Sequence, residues 1–344
     1  MSPSNIRWQP TCSLEMLRLR SRAMQAVRQF FDARQYLEVD TPCVSQETVV
    51  DAWLEPPQLS STDQTRYLQT SPEALMKRLL AAGSGSIWQA ARVFRNDESG
   101  QRHNFEFTML EWYGVNTTWR QQIQVTEELI RNIFTALQDH LPDDLKLQRE
   151  RAFRVTTYSE AFQRTLNCDP HSCPDEVLHQ LAVTHTSATA ATLQHATRDD
   201  LLNLLLGFVI EPRLGQTNGK AHPEFLCDYP ASQAALATIE TVSKGTRSYE
   251  VAKRFELYIH GTELCNGYQE LQDPEELHRR DQQANCRRQQ DQRSVLPGAP
   301  RLIAAMQHGL PACSGVALGF DRLMMLATGT NTIAEVLPFA ADHA

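Results

Sequence analysis

The chain has 344 residues, 41% of them hydrophobic and 22% charged, with a formal net charge of −8. That length holds one large α/β domain or two ordinary ones, and the composition is that of a soluble globular protein. The N-terminal MSPSNIRWQPTCSLEM has no apolar core segment, and runs such as LLNLLLGFVI are far too short to span a bilayer. A cytoplasmic protein without a signal peptide or membrane partner is expected. The acidic total argues against a protein that grips nucleic acid through many phosphates, although a basic patch can sit inside it. The 8 cysteines form no CxxC pair and read as free thiols. Cys168, His171 and Cys173 lie close together, but no second ligand pair accompanies them at zinc spacing.

Leu14, Leu17, Met24, Val27, Phe30 and Phe31 share one face of a helix predicted over residues 13–34. YLEVDTPCV follows as a strand ended by Pro42, and TRYLQT is a second short strand. In SPEALMKRLLAAG, Ser71 suits the N-cap, Pro72 the first helical position and Gly83 the helix end. Two apolar strands flank the loop FRNDESGQRHNFEF, and helical spacing returns from Thr118 to His140. Residues 142–224 read as mixed and mostly helical, with RDDLLNLLLGFVIEP the strongest element. KRFELYIHGTELCNGYQEL reads as a hairpin turning at His260-Gly261. The polar stretch from Pro274 to Arg293 reads as a solvated helix, and GVALGF as a strand leading into the helix DRLMMLA. This order lacks the regular βαβ alternation of a doubly wound fold. It predicts an α+β fold, a mostly antiparallel sheet flanked by helices.

The loop at 94–107 holds Arg95, Arg102 and His103 beside Asp97, Glu98 and Glu106, with an aromatic rim. A polyanion attached to a flat ring would suit it. In FEFTMLEWY, Phe107, Met109, Glu111 and Tyr113 fall on one face, which could be a pocket floor, although Phe107 taken alone reads as core. In the hairpin, a two-residue turn pairs Tyr258 with Glu263 and sets Glu256 one diagonal step away on the same face. Two such carboxylates repel unless a cation joins them or one points to solvent, and Mg²⁺ with substrate phosphates would suit the pair. Glu270 is seven residues beyond Glu263, so it shares that face only if the strand gains a residue, which Asn266-Gly267 could supply as a bulge. GQTNGKA fails as a phosphate-binding loop, because three residues separate its glycines and Ala221 replaces the needed hydroxyl; it reads as a loop.

Together these blocks resemble the class II aminoacyl-tRNA synthetase catalytic domain, specifically its lysyl branch. The strand ending at Pro42 is similar to motif 1, FRND…RHNFEF to motif 2 and GVALGFDRLMML to motif 3. TSPEALMKRLL and the hairpin are similar to lysyl-specific blocks, so the resemblance runs from about residue 14 to residue 337. Motif 1 begins within the first forty residues, leaving no room for an anticodon-binding OB domain, and residues 1–344 are expected to be a single catalytic domain with a helical insertion at 142–224. Without that domain, tRNA is a poor candidate acceptor. The truncation, with SPEALMKRLL and CSGVALGFDRLMML, points to the elongation factor P lysine ligases.

That resemblance implies ATP-dependent activation of (R)-β-lysine or lysine, transfer to a lysine of elongation factor P, Mg²⁺ as cofactor and a homodimer. It implies that Arg95 clamps the α-phosphate and substrate carboxylate, that Arg102 or His103 meets the outer phosphates, and that Phe107 and Arg322 sandwich adenine. Asn96, Asp97, Asn104, Leu264 and Gly319 join the nucleotide set, and Glu256 and Glu263 hold the metal. Glu270 and Tyr113 take the distal ammonium, Glu73 after Ser71-Pro72 takes the amino group nearer the carboxylate, and Ala317 floors the site. The chain departs from the family at Asp97, usually Glu, at Phe105, usually Pro, and at Ala317, usually Gly. Rival readings are a truncated lysyl-tRNA synthetase paralogue, another amino acid ligase, or a non-catalytic synthetase-like regulatory subunit.

Overall fold

The computed structural model describes residues 8–60, 64–96, 100–146, 151–244 and 247–344. The chain divides into two units, one of residues 1–117, 125–146 and 272–344, the other of residues 118–124 and 147–271. Of the expected insertion at 142–224, residues 142–146 fall in the first unit, and the rest makes up only part of the second.

In the first unit, Ser13 Oγ accepts the Met16 N–H, and the helix Leu14–Asp32 buries Met16, Leu19, Val27 and Phe31. Phe31 stacks on Trp88, centroids 5.0 Å apart, and tilts onto Trp112 at 5.4 Å, which fixes the helix on the sheet. Strand Ile87–Phe94 pairs antiparallel with Glu106–Val115, which pairs antiparallel with Cys313–Gly319. The predicted strand at YLEVDTPCV shrinks to Leu37–Glu38, added in parallel to Ile87–Phe94, with one further bond from Val39 N to Trp88 O. Pro42, which cannot donate, bounds what the ladder could extend to.

The helix Glu73–Ala81 starts one residue later than predicted, but Ser71 Oγ still accepts the Glu73 N–H at 3.0 Å. The polar helix Pro274–Gln290 differs from its reading as wholly solvated. Near its end Arg288 is fully buried. Its guanidinium donates to the carbonyls of Ser294 (2.7 Å), Asp51 (3.0 Å) and Leu54 (2.8 Å), and to Glu55 at 2.5 Å. On the same helix, burial pushes the Asp281 carboxyl up to about 6. A carboxyl raised above its unfolded value binds its proton more tightly when folded, so stability falls as pH rises from about 4 to 6. Asp281→Asn is expected to stabilise the protein by about 1–2 kcal/mol at pH 8 and by almost nothing at pH 4, read from urea midpoints. Equal shifts at both values would show that charge is not the cause.

In the second unit, Arg247–Ile259 pairs antiparallel with Thr262–Gln269, Glu224–Pro230 and Ile239–Lys244, and Arg154–Thr157 joins Glu224–Pro230 in parallel. Helix Tyr158–Leu166 opens on a Thr157/Glu160 capping box, and helix Arg198–Leu205 on Thr197 and Asp200. The latter runs into a wider π turn, Leu206–Ile210, ahead of Pro212. Tyr158, Phe162, Leu202, Leu205, Leu226 and Tyr258 meet in one buried cluster. GQTNGKA is not an open loop. Gln216–Thr217 pairs with Lys220–Ala221 across Asn218 and Gly219, both at positive φ (52° and 74°), so the Asn-Gly pair makes a tight hairpin. Among the described residues no helix is long and apolar enough to cross a membrane.

Candidate active site

Each unit carries part of the predicted residue set. In the first, the loop after Phe94 is closed by Arg95 N donating to Phe105 O at 3.0 Å and His103 N to Gly100 O at 3.2 Å. The Arg95 guanidinium carbon stands 5.2 Å from the Phe107 ring centre. Phe107 is half-buried against Ala91, Val93, Met109 and Ala317, so one part of the ring packs as core while the rest remains accessible. Arg322 Nη2 donates to His103 Nε2 at 2.8 Å. That contact requires an imidazole with a lone pair on Nε2.

Arg322 is brought there by its neighbour. Asp321, 1% exposed, accepts the Thr108 N–H at 2.7 Å and pairs with Arg20 at 2.6 Å. The Arg20 contact is short but off-line for a hydrogen bond, so it counts as an ion pair. One carboxylate thus ties the start of helix Phe320–Thr328 to strand Glu106–Val115 and to helix Leu14–Asp32. Gly319, just before it, lies opposite Met109.

Arg95, His103, Phe107 and Arg322 are thus brought together. Asn96 and Arg102 lie exposed on the same loop, and Asp97 lies outside the described residues. Asn104, expected near a base, has both ends of its amide engaged by the chain. Its Nδ2 donates to Glu106 O at 2.6 Å and its Oδ1 accepts the Ala341 N–H at 3.1 Å, so both ends of the amide brace the chain. Phe105, where the family has Pro, packs edge-on against Phe94 with 5.8 Å between centroids.

Further along the same strand, Tyr113 OH donates to Glu111 Oε1 at 2.6 Å, and Ser71 Oγ donates to Glu111 Oε2 at 2.9 Å. Ala317 lies directly opposite Glu111. Glu111 is 2% exposed. Sequence reasoning placed it on the pocket face without giving it a role; the alternation that picked out Tyr113 applies equally two residues earlier. Pro72 is buried at the helix start. Glu73 is paired with Lys77 Nζ at 2.5 Å, a partner that i,i+4 spacing could have revealed.

In the second unit the two-residue turn is as predicted, with His260 at φ 49° and Gly261 at φ 65°. Tyr258 lies opposite Glu263 and Glu256 opposite Asn266, so both acids share a face. The extra residue exists but sits at Leu264, where the register shifts, and not at Asn266-Gly267. Alternation then returns Asn266, Tyr268 and Glu270 to the Glu263 face. Glu270 is 2% exposed.

Glu256, expected to hold a metal with Glu263, carries protein donors in this structure. Its oxygens accept from Arg254 (2.5 Å), Tyr229 (2.5 Å) and Tyr258 (2.6 Å). Burial, then the Glu256 charge, pushes both phenols well above their usual range, so they stay protonated donors. A carboxylate with an arginine and two phenols already on it has little to offer a cation. Among the described residues no group of three or more His, Cys, Asp or Glu is placed to hold a metal. Among the described residues the 8 cysteines form no disulfide.

A mostly antiparallel sheet, a loop joining arginine, histidine and phenylalanine, and a helix start that adds a second arginine define a class II synthetase fold. The chain matches the family model for tRNA synthetases class II (D, K and N) over residues 7–343, and it belongs to that family. It is 41% identical to the elongation factor P–(R)-β-lysine ligase of Hamiltonella defensa subsp. Acyrthosiphon pisum, across 98% of both chains. The proteins of the same name from Edwardsiella ictaluri and Pectobacterium carotovorum subsp. carotovorum are 40% and 39% identical, again across 98% of each chain.

Proposed function

We propose that the chain activates (R)-β-lysine, or lysine, with ATP and transfers the acyl group to a lysine side chain of elongation factor P. End-to-end similarity to relatives carrying that name supports this reading. The observation that carries it is one strand face. Phe107, under Arg95, begins it, and the Glu111–Tyr113 carboxylate–phenol pair lies four residues on, about 13 Å away. That leaves a place for a flat base with phosphates at one end and a cationic chain at the other.

In the first step a substrate carboxylate oxygen bonds to the α-phosphorus, and the bond to the leaving pyrophosphate breaks. Arg95 holds both reacting groups through its planar fork. Arg322 and His103 meet the outer phosphates, and Phe107 supports the base. Mg²⁺ neutralises phosphate charge when bound; Glu263 is the hairpin carboxylate kept for it, since the ion takes as few as one alongside phosphates. Glu111, with Tyr113 and Glu270, receives the distal ammonium, and Glu73 the nearer one. In the second step the acceptor amine bonds to the acyl carbon, AMP leaves, and the amine loses a proton. Pairing of two copies through the region around Pro42 belongs to the same proposal.

ATP–pyrophosphate exchange that depends on β-lysine or lysine tests the first step. Labelled amino acid offered to elongation factor P and to tRNA side by side tests the second. Label on the protein and not on tRNA is expected; the reverse would make the chain a tRNA ligase, and no exchange would remove the enzyme reading. Glu270→Gln is expected to raise the β-lysine KM by at least tenfold while the ATP KM stays within about twofold, because a buried ammonium loses its counter-charge. Equal loss of both would remove Glu270 from the amino-acid site.

A further inference from the structure

Lys77 is 2% exposed on the helix Glu73–Ala81, between buried Met76 and Leu80. A lysine is among the residues least often found there. A leucine or methionine would fill the volume without desolvating an ammonium, so a role in packing alone does not account for it. Its Nζ lies 2.5 Å from Glu73 Oε1, one helical turn away. The Glu73 side chain is itself 13% exposed, and among the described residues the bond to Lys77 falls on Oε1 and none on Oε2. The backbone beneath is fixed as well. Glu73 N donates to Ser71 Oγ at 3.0 Å, and the same hydroxyl donates to Glu111 at 2.9 Å. Glu73 also sits in the first turn of its helix, where the dipole favours a negative charge.

We propose that Lys77 is a positioning residue: it pins one oxygen of Glu73 so that the other faces the amino group nearer the substrate carboxylate. The proposal rests on the functional reading above. Without Lys77 a glutamate in the first turn of a helix is free to rotate about three side-chain bonds, and its carboxylate is free to turn to solvent. With Lys77 it is held before substrate arrives, and half its charge is already balanced. The subsite therefore selects by geometry. It rewards an ammonium that reaches Oε2 and gives little to a substrate that lacks one. The Ser71 hydroxyl, which accepts the Glu73 backbone N–H and donates to Glu111, anchors the backbone of the near-ammonium residue to the Glu111 carboxylate.

The test compares β-lysine with 6-aminohexanoate, the same chain without its 3-amino group, by ATP–pyrophosphate exchange. The readout is the ratio of the two kcat/KM values. Wild type is expected to favour β-lysine by at least about 100-fold, since a site built for a polar group rejects an analogue lacking it. Lys77→Met is expected to reduce that ratio at least tenfold, mainly through the β-lysine KM, with the ATP KM unchanged. Glu73→Gln should do the same, and in the ratio of the two substrates the double variant should match Glu73→Gln alone, because the proposed effect of Lys77 on that ratio passes through Glu73. Should Lys77→Met fail to fold, Lys77→Gln and the charge-neutral double variant carry the comparison. A loss of activity equal for both substrates would make Lys77 merely structural and overturn the proposal. So would a double variant whose losses multiply. Wild type that exchanges with neither substrate would instead take down the functional reading, and the Lys77 proposal with it.

Discussion

Asp321→Ala is expected to cost about 3–5 kcal/mol of stability, the range for breaking a buried charge pair from one side. Asp321 is 1% exposed, and its partner Arg20 keeps only 11% of its side chain exposed, lying 5.0 Å from the Phe320 ring. Truncation leaves that guanidinium without this counter-charge and the Thr108 N–H without this acceptor. With total stabilities of about 5–15 kcal/mol, a loss of this size is a large fraction of the whole. Asp321→Asn keeps an acceptor for Thr108 and should lose less. Urea denaturation midpoints read both variants, and a change below about 1 kcal/mol for alanine would mean that water replaces the carboxylate. The following residue is Arg322, so exchange activity should fall with the alanine variant even at temperatures where it stays folded.

Arg95→Lys is expected to lower the ATP–pyrophosphate exchange rate by about 10²–10³-fold, the usual result of removing one preorganised charge-stabilising donor. Lysine keeps the charge but offers one ammonium where the guanidinium offers a planar fork to two groups. The loop should survive, because Arg95 closes it through its backbone, donating to Phe105 O at 3.0 Å. Thermal midpoints within about 2 °C of wild type would separate chemistry from folding. A rate within threefold of wild type would remove Arg95 as the clamp.

What could be read from the sequence followed the range of the forces involved. Ser13, Thr197 and the His260-Gly261 turn act within a few residues, and each is where local chemistry places it. Asn218-Gly219 carried the same kind of signal, obscured by the comparison with a phosphate loop. The motif 2 hairpin and the strand entering Arg322's helix were legible because strands buried on both faces read as short apolar runs. Long-range partners were not. Nothing local says that Arg288 binds the carbonyls of a segment more than two hundred residues earlier, so its helix read as solvated. Nothing near Glu256 says that Tyr229, from another strand, closes over it. Its charge and face were legible, and the donors that gather on it were not. Lys77 was within reach, because its partner is four residues away, but a lysine on a helix normally reads as surface.

The irregularity at Leu264 has a consequence for how this hairpin can vary. Glu263 and Glu270 stand an odd number of steps apart yet share a side, because one residue is looped out of the count. Deleting one position while the bulge persists would rotate Glu270 to the reverse of the sheet without disturbing the hairpin's turn, whereas deleting the looped-out Leu264 itself would leave a regular strand with Glu270 still on the Glu263 side. A single-residue loss in this segment should therefore be tolerated at the bulge and not where the bulge is kept, a rule imposed by pleating itself.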